Sequence, residues 1–182
     1  MTGLLLALLG AVLAGFGARD QTLMARLAAA QGSRVSALAV ALAVCCATAA
    51  FAAWAGSAIA PMISIEARLL FAWLALVIAG VEMLAIVPGK APTEPTHSLG
   101  AMGLVLISYQ LSDAARFMTF AVAVMTSAAI PAGIGGAVGG AITVAAAWLA
   151  PAQFANPRIR PLRRLAGAAL LVLAAALLLR CI

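Results

Sequence analysis

Two short stretches carry the side chains able to do chemistry. The first is Arg19-Asp20-Gln21-Thr22, and the second is Gln110-Leu111-Ser112-Asp113 with Arg116 just beyond it. Each brings together a carboxylate, an amide, a hydroxyl and a guanidinium group. Such a set can hold a cation on its oxygens, exchange a proton at a carboxyl group, or neutralise itself as an internal ion pair. Which of these applies depends on the medium, because a charge at the centre of a bilayer costs about 2.5–3.5 kcal/mol on insertion scales.

The medium follows from composition. The chain has 182 residues, of which 66% are hydrophobic and 9% charged, and its mean hydropathy is +1.17. A soluble domain carries roughly 25% charged residues, so the expected solvent is lipid. The net charge of +6 then reports membrane orientation rather than nucleic-acid binding. Cys45, Cys46 and Cys181 are too few and too poorly placed for a disulfide framework, and the adjacent pair reads as small packing residues.

The elements that must position the polar stretches are apolar segments of about 17–25 residues, the span length of a helix. Six are expected: Leu4–Ala30, Ser36–Trp54, Arg68–Val87, Leu99–Thr126, Ile130–Leu149 and Leu165–Leu179. The first lacks a basic start and stays apolar past Asp20, so it reads as a retained span rather than a signal peptide. None of the segments alternates with a period of two, which argues against a membrane barrel. Gly15 and Gly17 permit a helix break or a close contact just before Asp20. The spacing of Gln110, Asp113 and Arg116 predicts one shared helix face.

The halves repeat. Asp20 and Asp113 stand 93 positions apart, and the basic starts of the third and sixth spans, Arg68 and Arg163, stand 95 apart. Three spans is an odd number, so a second copy must be inverted in the membrane. The expected fold is therefore an all-α integral membrane protein of six transmembrane helices in two inverted three-helix repeats. The units are residues 1–88, a cytoplasmic linker 89–98, and residues 99–182. Arg34, Lys90, Arg158, Arg160, Arg163 and Arg164 fall after spans one, three and five, against Arg68 and Arg180 on the other side. That asymmetry places the linker in the cytoplasm and both termini outside.

With these features the chain resembles the six-span cation/proton antiporters of Golgi and bacterial membranes known as uncharacterised protein family 0016. Their first and fourth spans carry Glu-x-Gly-Asp-Lys/Arg-Thr/Ser. Here Gly17–Thr22, "GARDQT", and Gln110–Ala115, "QLSDAA", stand at the two motifs. Asp20, Thr22 and Asp113 match, while Gly17 and Gln110 replace the glutamates. The resemblance implies proton-coupled movement of Mn²⁺ or Ca²⁺ in a bacterial inner membrane, with Asp20 and Asp113 as metal ligands. Thr22, Gln110 and Ser112 would supply neutral groups, and Arg19, Arg116 and Gln21 would modulate the site. Two carboxylates with guanidinium groups nearby should bind a dication more weakly than a four-carboxylate cage.

Other residues have plainer readings. Asp113 can pair with Arg116 one turn away, or the aspartates can be neutralised by Arg116 and Arg19 across a pseudo-twofold axis. Glu82 reads as an interfacial side chain or a partner for Lys90, with a third site acid as the alternative. His97 reads as solvated surface. The overlapping spacings Gly135/Gly139 and Gly136/Gly140 predict close helix packing, inside the bundle or in a homodimer. No HExxH, CxxC or serine elbow is present, so no enzyme and no cofactor are expected. The function expected is a secondary transporter. The alternatives are a carrier of a small organic solute and a non-transporting structural or partner membrane protein.

Overall fold

The computed structural model describes residues 1–32, 34–85, 98–156 and 159–181. Among these the chain is all helix and turn: α1 (Thr2–Gly15), α2 (Arg19–Gln31), α3 (Val35–Ile59), α4 (Ile65–Ala85), α5 (Leu99–Leu111), α6 (Ala114–Thr126), α7 (Ala129–Leu149), α8 (Pro151–Phe154) and α9 (Arg160–Cys181). Helices α3, α4, α7 and α9 are long and apolar enough to cross a membrane, and α1 with α2 make a fifth candidate, bent by 60°. The fourth expected span is divided into two shorter apolar helices, α5 and α6.

Small residues form the interior and large ones face outward. Ala7, Ala11, Ala41, Ala79, Ala123 and Ala147 are fully buried, whereas Leu5, Leu9, Leu70, Leu104, Val172 and Leu173 are exposed. That distribution suits a lipid solvent, in which helices gain from close backbone approach and leucine gains nothing by hiding. Helix α6 lies centrally against α1, α3 and α4, while α7 packs along α1 and α3. Its glycines make this possible. Side chains at Gly135 and Gly139 would run into the α1 backbone at Leu4 and Leu8, and one at Gly136 would meet Thr119 of α6. All four glycines of the overlapping spacings are buried within the chain, so this is the bundle packing that the sequence allowed. Helices α4 and α9 cross at another glycine pair, where a Cβ on Gly167 would lie 3.0 Å from the Gly80 carbonyl oxygen.

Two of the expected spans are interrupted. Gly17 has φ +69°, a left-handed conformation that glycine adopts without a steric penalty. Its N–H donates to Gln21 Oε1 at 2.6 Å, so Gln21 reaches back from the third position of α2, past the N-cap Ala18, to fix the turn. The second break runs through Ser112 and Asp113, whose ψ of 144° is extended backbone. Gln110, Asp113 and Arg116 therefore do not share one continuous helix face, contrary to their spacing.

Candidate functional site

Each break exposes the first turn of a new helix, and the polar residues cluster there. Asp20 lies in the first turn of α2 and is 5% exposed. Its Oδ1 accepts from the Gln21 N–H at 2.7 Å and its Oδ2 from Gln110 Nε2 at 3.1 Å. The other end of the same amide, Gln110 Oε1, accepts from Arg116 Nη2 at 3.2 Å. Gln110, fully buried, thus bridges an anion and a cation with the two ends of its dipole. Asp20 and Arg116 are a pair separated by one amide.

Arg116 is anchored further by α3. Its Nε donates to Thr48 Oγ1 at 2.8 Å, and its Nη2 lies 3.0 Å from Cys45 Sγ. The Thr48 hydroxyl, 2.9 Å from Gln110 Oε1, closes the ring of contacts. Thr48 vanishes into an alanine-rich span in the sequence, and Cys45, expected as a small packing residue, also meets the Arg116 guanidinium. Gly140 leaves room for this arrangement, since a Cβ there would lie 2.9 Å from Arg116 Nη2.

Asp113 occupies a different place. It is the residue before α6 and is 6% exposed, yet its side chain makes no capping bond. Its Oδ1 is buried without a hydrogen-bond partner. The cap comes instead from Glu82 of α4, whose Oε2 accepts from the Ala114 N–H at 3.1 Å. Glu82 Oε1 lies 3.9 Å from Arg163 Nη2 of α9, and both side chains are buried. This corrects two readings. Glu82 is not an interfacial side chain but a buried acid beside Asp113, and Arg163 belongs to the interior rather than to a loop. Lys90 and His97 lie outside the described residues.

Arg19 Nη2 donates to the Ser112 carbonyl at 3.2 Å, and its guanidinium sits 5.6 Å from the centre of the Tyr109 ring. It therefore ties the two breaks together without touching either aspartate. Ser112 is exposed and donates back to the Ser108 carbonyl at 2.8 Å. Thr22 donates to the Arg19 carbonyl at 3.1 Å. Gln21 Nε2 donates to the Thr143 carbonyl of α7 at 2.9 Å, which makes it a brace for the break. Neither aspartate is within ion-pair distance of Arg19 or Arg116, so the direct Asp113–Arg116 pair and the direct cross-axis pairs are absent. Among the described residues no three His, Cys, Asp or Glu side chains converge as a metal-holding group.

Chemically, three buried acids (Asp20, Asp113 and Glu82) stand with two buried guanidinium groups (Arg116 and Arg163). Among the described residues these buried acids outnumber the buried guanidinium groups by one, and two acid oxygens are buried without a hydrogen-bond partner: Asp113 Oδ1, and Glu82 Oε1, which has only the Arg163 guanidinium 3.9 Å away. Comparison with protein-family models, with curated proteins and with solved structures returns no match.

Proposed function

We propose that the chain is a secondary membrane carrier that exchanges protons for a cation at the two helix breaks. The observation that carries this reading is the buried, unpartnered Asp113 oxygen beside Glu82. An uncompensated carboxylate inside a membrane protein is expensive unless a proton or a cation occupies it in turn. Broken helices that meet face to face are a common way to build such a place, because their unwound turns offer backbone and side-chain groups to an ion.

In this reading α1 with α2 and α5 with α6 are the first and fourth of six spans. The halves form inverted repeats, the 89–98 linker is cytoplasmic, and both termini are outside a bacterial inner membrane. The cargo is a cation of the Mn²⁺ or Ca²⁺ class with Asp20 and Asp113 as its ligands, Glu82 lying close to the second. Affinity is weaker than in a four-carboxylate cage, because Gln110 already bonds one Asp20 oxygen and both motif glutamates are replaced, by Gly17 and Gln110. The resemblance to the family 0016 antiporters agrees with this proposal.

A second reading is favoured by Asp20, both of whose oxygens already accept a hydrogen bond. A fold of this kind can persist as a structural or partner protein with a self-neutralised interior. Proteoliposome flux separates the two readings. The carrier should move Mn²⁺ or Ca²⁺ when a pH gradient is imposed, and Asp113→Asn and Asp20→Asn should each abolish that flux while the protein stays folded. Undiminished flux in the double variant would make the carboxylates structural, and absence of flux in the parent across a panel of ions and small solutes would favour the non-transporting reading.

A further inference from the structure

Two cavities meet at the corner formed by α2, α8 and the start of α9. The smaller, about 160 Å³, is lined by Thr22 and Arg26 of α2 and by Arg160 and Arg163 of α9. Among the described residues three guanidinium groups border it and no carboxylate does. Arginine forks of this kind match the oxygens of a phosphate. Arg160 is the first residue of α9, so the positive end of that helix also faces this corner. The volume is many times the roughly 10–15 Å³ that a single water needs on such a measure, and it accommodates a phosphate group.

The larger cavity, about 460 Å³, is mainly apolar and is lined by Phe16, Ala152, Phe154, Ile159 and Leu162 among others. Phe154, Asn156 and Ile159 border both cavities. Phe154 is held edge-on to Phe16 with ring centres 6.1 Å apart. Arg163, 3% exposed, is fixed from behind by Glu82, so the basic cavity has a built wall rather than mobile surface arginines alone.

An arginine cavity by itself would accept any small oxyanion, and an apolar groove by itself any hydrocarbon. Joined, they fit one class of molecule in which a phosphate is covalently attached to acyl chains. We propose that this corner binds an anionic glycerophospholipid, with its phosphate against Arg26, Arg160 and Arg163 and an acyl chain along Phe16, Phe154 and Leu162. Basic pockets between membrane helices bind anionic headgroups by the same electrostatics. The site rests on the membrane reading of the helices alone, and it stands whether or not the chain carries a cation.

The test uses the full-length protein in detergent, with bound lipid counted by native mass spectrometry. The probes are phosphatidylglycerol, phosphatidylcholine and inorganic phosphate. The parent should retain phosphatidylglycerol preferentially. Arg26→Gln and Arg160→Gln should each weaken that retention about fivefold, the value of one basic residue near an anionic headgroup, while Arg34→Gln, an exposed arginine elsewhere, should not. Leu162→Ser should weaken it through the groove without adding charge beside the arginines, which keeps the proposal testable if an arginine variant folds poorly. Equal retention of phosphatidylcholine, an equal loss in Arg34→Gln, or inorganic phosphate competing as well as the lipid would each overturn the proposal, the last by showing a free-anion site.

Discussion

The amide of Gln110 decides how charge is distributed in the interior. It lets Asp20 and Arg116 neutralise each other without contact, its N–H donating to one and its oxygen accepting from the other. Gln110→Leu keeps the size of the side chain but removes the bridge. It leaves an Asp20 oxygen and part of the Arg116 guanidinium without their partner in a buried setting. Each orphaned group costs about 1–3 kcal/mol, more when charged, so a fall in thermal unfolding temperature in detergent is expected. It should exceed the fall for Ser112→Ala, which loses an exposed hydroxyl bonded in its own turn and a long 3.4 Å bond from Arg19 Nη2. Equal losses would mean that the amide bridge contributes nothing. The sequence reveals only part of this arrangement. Asp20, Gln110 and Arg116 stand out because polar side chains are rare in an apolar run. Thr48 and Cys45 do not, since both types are ordinary packing residues in membrane helices and only tertiary contact turns them toward Arg116. Glu82 is conspicuous by charge, but its distance from the end of its helix fits the interface as well as the interior, and it takes the packing of α4 against α6 to choose.

At the scale of elements, the bundle depends on glycines where helices touch. The paired spacings in α7 were legible because a four-residue repeat of glycine places a groove on one helix face. Which helix fills the groove was not, since α1 and α6 are both apolar and nothing local distinguishes them. The contact geometry makes a comparison of two substitutions informative. A Cβ on Gly136 would collide with the Thr119 side chain, whereas one on Gly100 finds nothing nearer than the Ser98 hydroxyl at 3.8 Å. Gly136→Ala should therefore force α6 and α7 apart at about 1–3 kcal/mol, the usual cost of overpacking. Gly100→Ala should be neutral or slightly stabilising, because alanine loses less chain entropy in a helix than glycine. Thermal unfolding of the two variants reads the difference, and similar effects would show that the α6–α7 approach is not limited by the glycine. The breaks follow the same division. Gly17 announced the first by its residue type. The second carries no glycine or proline, only Ser112 and Asp113, and so the spacing of Gln110, Asp113 and Arg116 mimicked an unbroken helix.

For the molecule as a whole, composition fixed the solvent before any helix was placed, because no aqueous fold hides so much leucine. The number of crossings is harder to read, since α5 and α6 are each only 13 residues long and neither reaches across alone. Orientation can be tested without depending on that count. Helix α3 has 25 residues, which at 1.5 Å per residue is about 37 Å, more than a hydrocarbon core of about 30 Å. A crossing by α3 would therefore put Arg34 before it and Met62 after it on opposite sides. Exposed Arg34, Arg160 and Arg164 belong to the segments expected in the cytoplasm, and Arg68, bonded to Ser127 at 2.7 Å, to one expected on the other face. The native thiols complicate labelling unevenly, as Cys45 is buried and Cys46 exposed. In a background lacking all three cysteines, Met62→Cys should react with a membrane-impermeant maleimide added to intact spheroplasts, whereas Arg34→Cys should react only after the membrane is opened. The reverse pattern would invert the protein and place the arginine-lined cavity on the outer leaflet. Labelling of both positions from outside would mean that α3 does not cross at all, against the length and apolar character of the longest of the described helices.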